Sequence, residues 1–133
     1  MDNYQKVAAH GLIRNREGKI LVTRRSKIND WQPLTWDVPG GTVEFGEEPQ
    51  AALHREILEE TNLTVKVEKP IYVFAYLSSP ERHQFQIVYD CEYISGNVRL
   101  NPEEHDEFKW IDKSDLKILK NKIAFLKGLS DNT

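Results

Sequence analysis

Apolar residues along the chain come in short dense runs broken by glycine, proline and small polar residues, the pattern of strands joined by turns. Residues 7–13 are mostly apolar and read as a buried strand. Gly18 marks a turn into residues 19–25, a second strand with an apolar, partly β-branched centre. Residues 26–33 form a polar loop, and residues 35–38 a short strand stopped by Pro39-Gly40-Gly41. Residues 63–67 and 71–77 read as two strands divided by Pro70. Residues 84–93 alternate as another strand, ended by Ser95-Gly96-Asn97, and residues 108–111 fit one more.

Two segments differ. Residues 48–61 are the clearest helix: Pro49 sits at a first helical position, where its missing N–H costs nothing, and Glu47 and Glu48 lie at the positive end of the helix dipole. Asn62 follows as a left-handed C-cap. Residues 116–129 carry helical spacing at Leu116, Ile118/Leu119, Ile123 and Leu126, so a second helix is predicted there, with Asn121 inside it. Strands surrounding one mid-chain helix and finishing on another predict an α/β fold, an α/β/α sandwich on a mixed sheet.

Composition sets bounds without changing that picture. Hydrophobic residues are 39% and charged residues 29% of 133, the balance of one globular domain over residues 1–133. The lone cysteine, Cys91, excludes an internal disulfide, suits a reducing compartment and reads as a small core residue. No apolar run approaches the roughly 18 residues that cross a bilayer, and the first residues lack the form of a secretory signal, so cytoplasmic residence is expected and a membrane partner is not. A net charge of −3 gives no reason to expect nucleic-acid binding. Acidity does not forbid a phosphate substrate, because a divalent metal screens carboxylates from phosphates.

The chemistry concentrates in residues 44–60, which hold Glu44, Glu47, Glu48, Glu56, Glu59 and Glu60. At about 100° per residue, Glu56 lies about 40° from Glu60 and about 60° from Glu59, so the three crowd onto an arc of about 100°. A solvated acidic face and a metal site both account for such an arc. The metal reading also explains the tolerated repulsion, since Mg²⁺ takes hard oxygen ligands and shares them between a few carboxylates and substrate phosphates. Pro39-Gly40-Gly41 lies just upstream and Gly46 at the turn into the helix, where glycines let backbone approach a ligand closely.

Written out, the segment is Gly41, five residues, Glu47, seven residues, Arg55-Glu56-Ile57, one residue, Glu59-Glu60, one residue, Asn62-Leu63. It resembles the signature of the Nudix hydrolases, with Asn62 standing where that family has glycine. Asparagine is the next-best residue for a left-handed backbone, so the turn is expected to survive. Gly11-Leu12-Ile13-Arg14, Leu21-Val22-Thr23-Arg24-Arg25 and Trp36-Asp37-Val38-Pro39-Gly40-Gly41 resemble the MutT-like branch of the family.

The resemblance implies a Nudix-type sandwich and a set of roles. Glu56, Glu59 and Glu60 would ligate Mg²⁺, with Mn²⁺ a substitute and the Gly41 carbonyl a further ligand, while Gly40 shapes the turn. Arg55 would orient the glutamates, and Glu47 would be structural or hold metal-bound water. Glu104, six residues before Trp110, resembles a downstream glutamate that some members use as ligand or base. The base would be Glu59 or Glu56, with Glu104 second; His105 beside it reads as a bystander. Arg25 would contact a substrate phosphate, against the plain alternative of a solvated arginine at a strand end. Asn121 resembles an asparagine that reads a base edge.

The partner expected is a small-molecule nucleotide, bound by a monomer or homodimer. Among Trp31, Trp36, Phe74, Tyr76 and Phe85, core packing is the default, and Trp31, in its polar loop, is best placed to stack on a base. Three functions follow: a nucleoside triphosphate pyrophosphohydrolase releasing monophosphate and pyrophosphate, a hydrolase of a nucleoside diphosphate joined to a sugar or other group, and a non-catalytic nucleotide sensor.

Overall fold

The computed structural model describes residues 2–123 and 126–129. Its spine is a parallel pair. Strand β1 (Tyr4–Arg14) runs beside β6 (Arg82–Ser95) in unbroken register from Tyr4↔Arg82 to Arg14↔Glu92. On the other side of β6 lies β5 (Thr64–Leu77), antiparallel, at the sheet edge. The opposite edge of β1 is divided. Its middle pairs with β4 (Gly40–Thr42), and its end meets β2 (Ile20–Arg25) at Arg14↔Ile20. Strand β2 carries β3 (Trp36–Asp37) on one edge and β7 (His105–Ile111) on the other. The sheet is therefore mixed, as expected.

Alternation along β1 feeds two cores. Ala9 and Ile13 face the helix α1 (Pro49–Thr61), whose Leu53 and Ile57 are fully buried against Leu21, Leu63, Val65, Tyr89 and Cys91. Leu12 points to the other face, where Ile20, Val22, Trp36, Val38 and Val88 meet Leu116, Ile123, Leu126 and Leu129. Cys91 is fully buried, as its strand position suggested, and burial pushes its thiol up to about 12.

Three expectations need correction. Residues 63–77 are not two strands: β5 is continuous, and Pro70 is absorbed at irregularities of the β5–β6 register, where it has no ladder hydrogen bond to lose. Pro39 does end the short strand β3, as expected, but Gly40 and Gly41 open another: Gly40, Gly41 and Thr42 pair with His10, Ala9 and Ala8.

The predicted helix over residues 116–129 is the third. A 3₁₀ turn (Lys113–Leu116) ends at its beginning, and Asn121 sits at φ +55°, outside any helix. Residues 121–123 instead extend along β3. The Trp36 N–H donates to the Asn121 carbonyl at 2.8 Å, and the Ile123 N–H donates to the Trp36 carbonyl at 2.8 Å. Helical recurs only at residues 126–129; positions 124 and 125 of the predicted helix lie outside the described residues. The exposed edge of β3 offered these backbone groups better partners than a lysine-rich helix would. Burying Leu116, Ile123, Leu126 and Leu129 satisfies the same apolar pattern without the helix.

The helix before the loop ends as read from the sequence. Asn62 has φ 67° and ψ 13°, its N–H donates to the Leu58 carbonyl at 2.9 Å, and its side-chain amide donates to the Asn97 carbonyl at 3.2 Å. Replacing Asn62 by alanine should cost about 1–2 kcal/mol, the strain of a left-handed Cβ. Asn62→Gly should stay within about 1 kcal/mol of wild type, because glycine removes that strain but loses the amide bond. Urea unfolding of the two variants checks the order.

Candidate active site

Two glycines are required on β4, Gly41 for its contact with the helix α1 and Gly40 for its contact with β1. A Cβ on Gly41 would stand 2.5 Å from the Glu56 carboxyl carbon. One on Gly40 would strike β1 backbone, 2.6 Å from the His10 Cα. Bare backbone at this contact lets helix carboxylates reach the strand. The Gly40 N–H donates to Glu60 Oε2 at 3.1 Å, which fixes the Glu60 side chain.

The acidic arc expected from helix geometry is present but not uniform. The Glu56 and Glu60 side chains are 19% and 12% exposed and turn toward β4, whereas Glu59 is 59% exposed and turns outward. Arg55 joins them. Its Nε and Nη2 donate to both oxygens of Glu47 at 3.0 and 2.8 Å, and its Nη1 donates to Glu56 at 2.9 Å and to Glu59 at 3.4 Å. Glu47 also accepts the Glu44 N–H at 2.9 Å, tying the loop to the helix through the guanidinium.

Glu104 comes from the turn before β7. Donor atoms of Glu60, Glu104 and His105 all lie within 4.8 Å of one another. Burial raises the Glu60 carboxyl well above its ordinary value, with Glu56, Asp37 and Glu104 adding repulsion and the Gly40 N–H opposing. Burial raises Glu56 too, against the pull of Arg55. Asp37 on β3 is pushed up to about 7 by burial, while the Val38 N–H and Arg25 act to lower it. A desolvated, all-oxygen group of repelling carboxylates fits a hard divalent cation, which would remove the repulsion that protons remove in its absence.

A cleft of about 600 Å³ opens beside this cluster and shares Gly40 and Gly41 as a wall. Its floor is polar: Gln84 and Gln86 of β6, His10 of β1 and Asp37. Trp31, Tyr76 and Arg25 line it as well. A smaller, more apolar hollow of about 320 Å³ shares Trp31, Gln32, Tyr76 and Ile123 with it and adds Tyr72 and Phe74. Those β5 aromatics form a ladder, Tyr72 to Phe74 at 5.3 Å and Phe74 to Tyr76 at 6.0 Å between ring centres.

The chain matches the NUDIX domain family model over residues 4–129. It belongs to the Nudix family. A MutT-like protein of Streptomyces ambofaciens is 29% identical over 79% of this chain, and an ADP-ribose pyrophosphatase of Methanocaldococcus jannaschii 35% over 83%. This chain spans 62% and 63% of those two relatives. The nucleoside triphosphatase NudI of Escherichia fergusonii is 28% identical over 95% of both chains. A MutT protein of Methanosarcina mazei superimposes with a TM-score of 0.86 at 26% identity, covering 98% of this chain and 94% of its own.

Within this Nudix fold the sequence-derived residues divide. Gly40, Gly41, Glu47, Arg55, Glu56, Glu59 and Glu60 form one connected unit, and Glu104 meets it from across the sheet. Arg25 lines the cleft but already has work. Its Nε donates to the Trp31 carbonyl at 2.7 Å, its Nη2 to Asn29 at 2.7 Å, and its guanidinium lies 4.9 Å over the Trp31 ring. It holds the Trp31 loop in shape. Trp36 is core, 7% exposed. Asn121 is exposed, and its carbonyl is committed to β3.

Sequence reasoning passed over Asp37, His10, Gln84, Gln86 and the nearness of His105. A signal existed for the glutamines: they are polar residues at alternate positions of an otherwise apolar strand, both 6% exposed.

Two outcomes follow from this geometry. Gly41→Ala should fold with a melting temperature near that of wild type, because only the end of a flexible glutamate must move, yet lose at least about tenfold in divalent-ion affinity. Gly40→Ala should lower the melting temperature by several degrees, roughly 1–3 kcal/mol, because backbone must move. Calorimetric melting and metal titration separate the two.

The second outcome concerns pH. Raised carboxyl values mean that the folded chain holds protons the unfolded chain releases. Without a metal, the stability these carboxyls contribute is therefore fully present below the unfolded values near 4 and is lost as pH climbs toward about 7, while buried His10 and His105 act in the opposite sense. A divalent ion replaces those protons, so saturating Mg²⁺ should raise the melting temperature more at about pH 8 than at about pH 5. An equal rise at both would disprove the coupling.

Proposed function

We propose that this Nudix protein is a Mg²⁺-dependent nucleoside triphosphate pyrophosphohydrolase, releasing nucleoside monophosphate and pyrophosphate. The observation carrying this reading is the inward Glu56–Glu60 pair against the bare Gly40–Gly41 backbone, which also walls a cleft with an amide floor and aromatic sides. Glu56, Glu60, Glu104 and the Gly41 carbonyl would hold the cation. When bound, it neutralises phosphate oxygens and acidifies the attacking water. Glu59, the most solvent-accessible of the three helix glutamates, accepts the proton of that water, and Arg55 keeps Glu56 and Glu59 in position for their separate tasks.

Substrate selection falls to the cleft. Trp31 and Tyr76 offer stacking faces, Gln84 and Gln86 offer amides, and Arg25 both frames the Trp31 loop and faces the phosphates. The match to a nucleoside triphosphatase over nearly the full length of both chains supports a triphosphate substrate. One observation favours a second reading, a nucleoside diphosphate joined to a sugar: the archaeal ADP-ribose pyrophosphatase is 35% identical, and the adjoining hollow has room for a second group. The buried cysteine, with no second cysteine in the chain to pair with, suits a cytoplasmic setting.

A screen of nucleoside triphosphates, nucleotide sugars and dinucleoside polyphosphates with Mg²⁺, products resolved chromatographically, tests the reading. Monophosphate and pyrophosphate are expected from a triphosphate. Turnover of nucleotide sugars alone would select the second reading, and binding without turnover the sensing role. Glu59→Gln should lower kcat by about 10²–10⁴ with an unchanged melting temperature; wild-type turnover would remove Glu59 as base.

A further inference from the structure

We propose that His105 is a direct nitrogen ligand of the divalent cation, making this a mixed nitrogen–oxygen centre that favours Mn²⁺ over Mg²⁺ relative to an all-oxygen site. The inference rests on the metal-site reading above and adds a ligand to it.

His105 is held in place by its own backbone. The N–H groups of Glu104 and His105 both donate to the Asn101 carbonyl at 2.9 Å, winding this stretch into a tight turn before β7. Ser26 clamps it from β2's side, its N–H donating to the Glu104 carbonyl at 2.9 Å and its hydroxyl to the Glu103 carbonyl at 2.7 Å. The β2–β7 register shifts between Arg24 and Arg25, where His105 pairs. Irregularities of this kind re-aim side chains at sheet rims. The two adjacent residues of this clamped turn thus both present donor atoms to Glu60.

The imidazole is 7% exposed and makes no side-chain hydrogen bond among the described residues. Its Nδ1 stands 3.9 Å from Glu60 Oε1. That distance is too long for a hydrogen bond. Two atoms each about 2.1 Å from one ion are about 3.0 Å apart when adjacent and about 4.2 Å apart when opposite; 3.9 Å lies between the two, so a small rotation of either side chain brings both onto one cation. Two carboxylates alone would suit Mg²⁺, which takes oxygen and keeps its waters. An imidazole shifts such a site toward first-row transition ions.

Pulsed electron paramagnetic resonance of the Mn²⁺-loaded full chain tests this. Modulation from a directly bound imidazole nitrogen is expected in wild type and should vanish in His105→Gln, which keeps an oxygen donor. The ratio of Mn²⁺ to Mg²⁺ affinity, from competition titration, should fall about tenfold in that variant; a merely structural role would weaken both ions alike. Absence of nitrogen modulation in wild type, its survival in the variant, or an unchanged affinity ratio overturns the proposal. Should the variant fail to fold, Cd²⁺-loaded wild type carries the test by nuclear magnetic resonance. A cadmium-to-nitrogen coupling on the ring assigned to His105 supports the ligand, and its absence removes it. Mn²⁺ that does not bind at all overturns this proposal and the metal-dependent hydrolase reading together, whereas binding without nitrogen leaves that reading standing.

Discussion

The contact of α1 with β4 governs the rest of the molecule. A helix bearing Glu56 and Glu60 on its inner arc is pressed against a strand that has no side chain at the point of contact. A larger residue at Gly41 would displace the Glu56 carboxylate, and one at Gly40 would push β4 off β1. β4 can lie so close because β1 accepts it as a partner over three residues, with β6 bracing β1 along its entire length on the other side. The parallel β1–β6 pair is thus the rigid support of a site to which neither strand contributes a carboxylate ligand.

Holding carboxylates there opposes the ordinary gains of folding. Glu60 is nine-tenths buried beside other acids, and its compensation within the protein is a single backbone N–H. Core packing on the same helix offsets this cost: Leu53 and Ile57, one turn apart on the face that meets β1, are fully buried. Arg55 does different work. It is too exposed to supply much stability, but its fork fixes where Glu47, Glu56 and Glu59 point. The packing holds the helix, and the guanidinium arranges what the helix displays.

How far this was legible in the sequence follows from the range of each interaction. The glutamate arc, Pro49 and the left-handed Asn62 are local to one helix, so fixed angles per residue were enough to place them. The split of that arc into inward Glu56 and Glu60 and outward Glu59 depends on where β4 lies, a tertiary fact. The segment over residues 116–129 misled for a related reason. Its apolar spacing fits a helix and also fits a turn and extended stretch laid on β3, and hydrogen bonds to Trp36 decided between them. That Gln84, Gln86 and His105 meet at the site was hidden, because strands separated by dozens of residues bring them there. Arg25 was seen, but its bonds to Trp31 and Asn29 could not be.

The architecture also separates two decisions that an enzyme of this kind must make. On the proposed reading, the bond to be broken would be set by carboxylates on one helix and one turn, held by a network that does not include the β5 aromatics. The group attached to that bond would be set by the faces of β5 and β6 and by the Trp31 loop, which line the cleft and the hollow beside it. The two regions share little beyond the bare backbone of Gly40 and Gly41, which can border any substrate without selecting it. Changes at Gln84, Gln86, Trp31 or Tyr76 can therefore alter what is bound without touching the glutamates. Relatives named for a nucleoside triphosphate and for ADP-ribose both match this chain, as expected if its carboxylates act on a diphosphate and the cleft selects what is attached. The identity of the nucleotide has to be sought on the floor and walls of the cleft, where the strand alternation of β6 first departs from an apolar pattern.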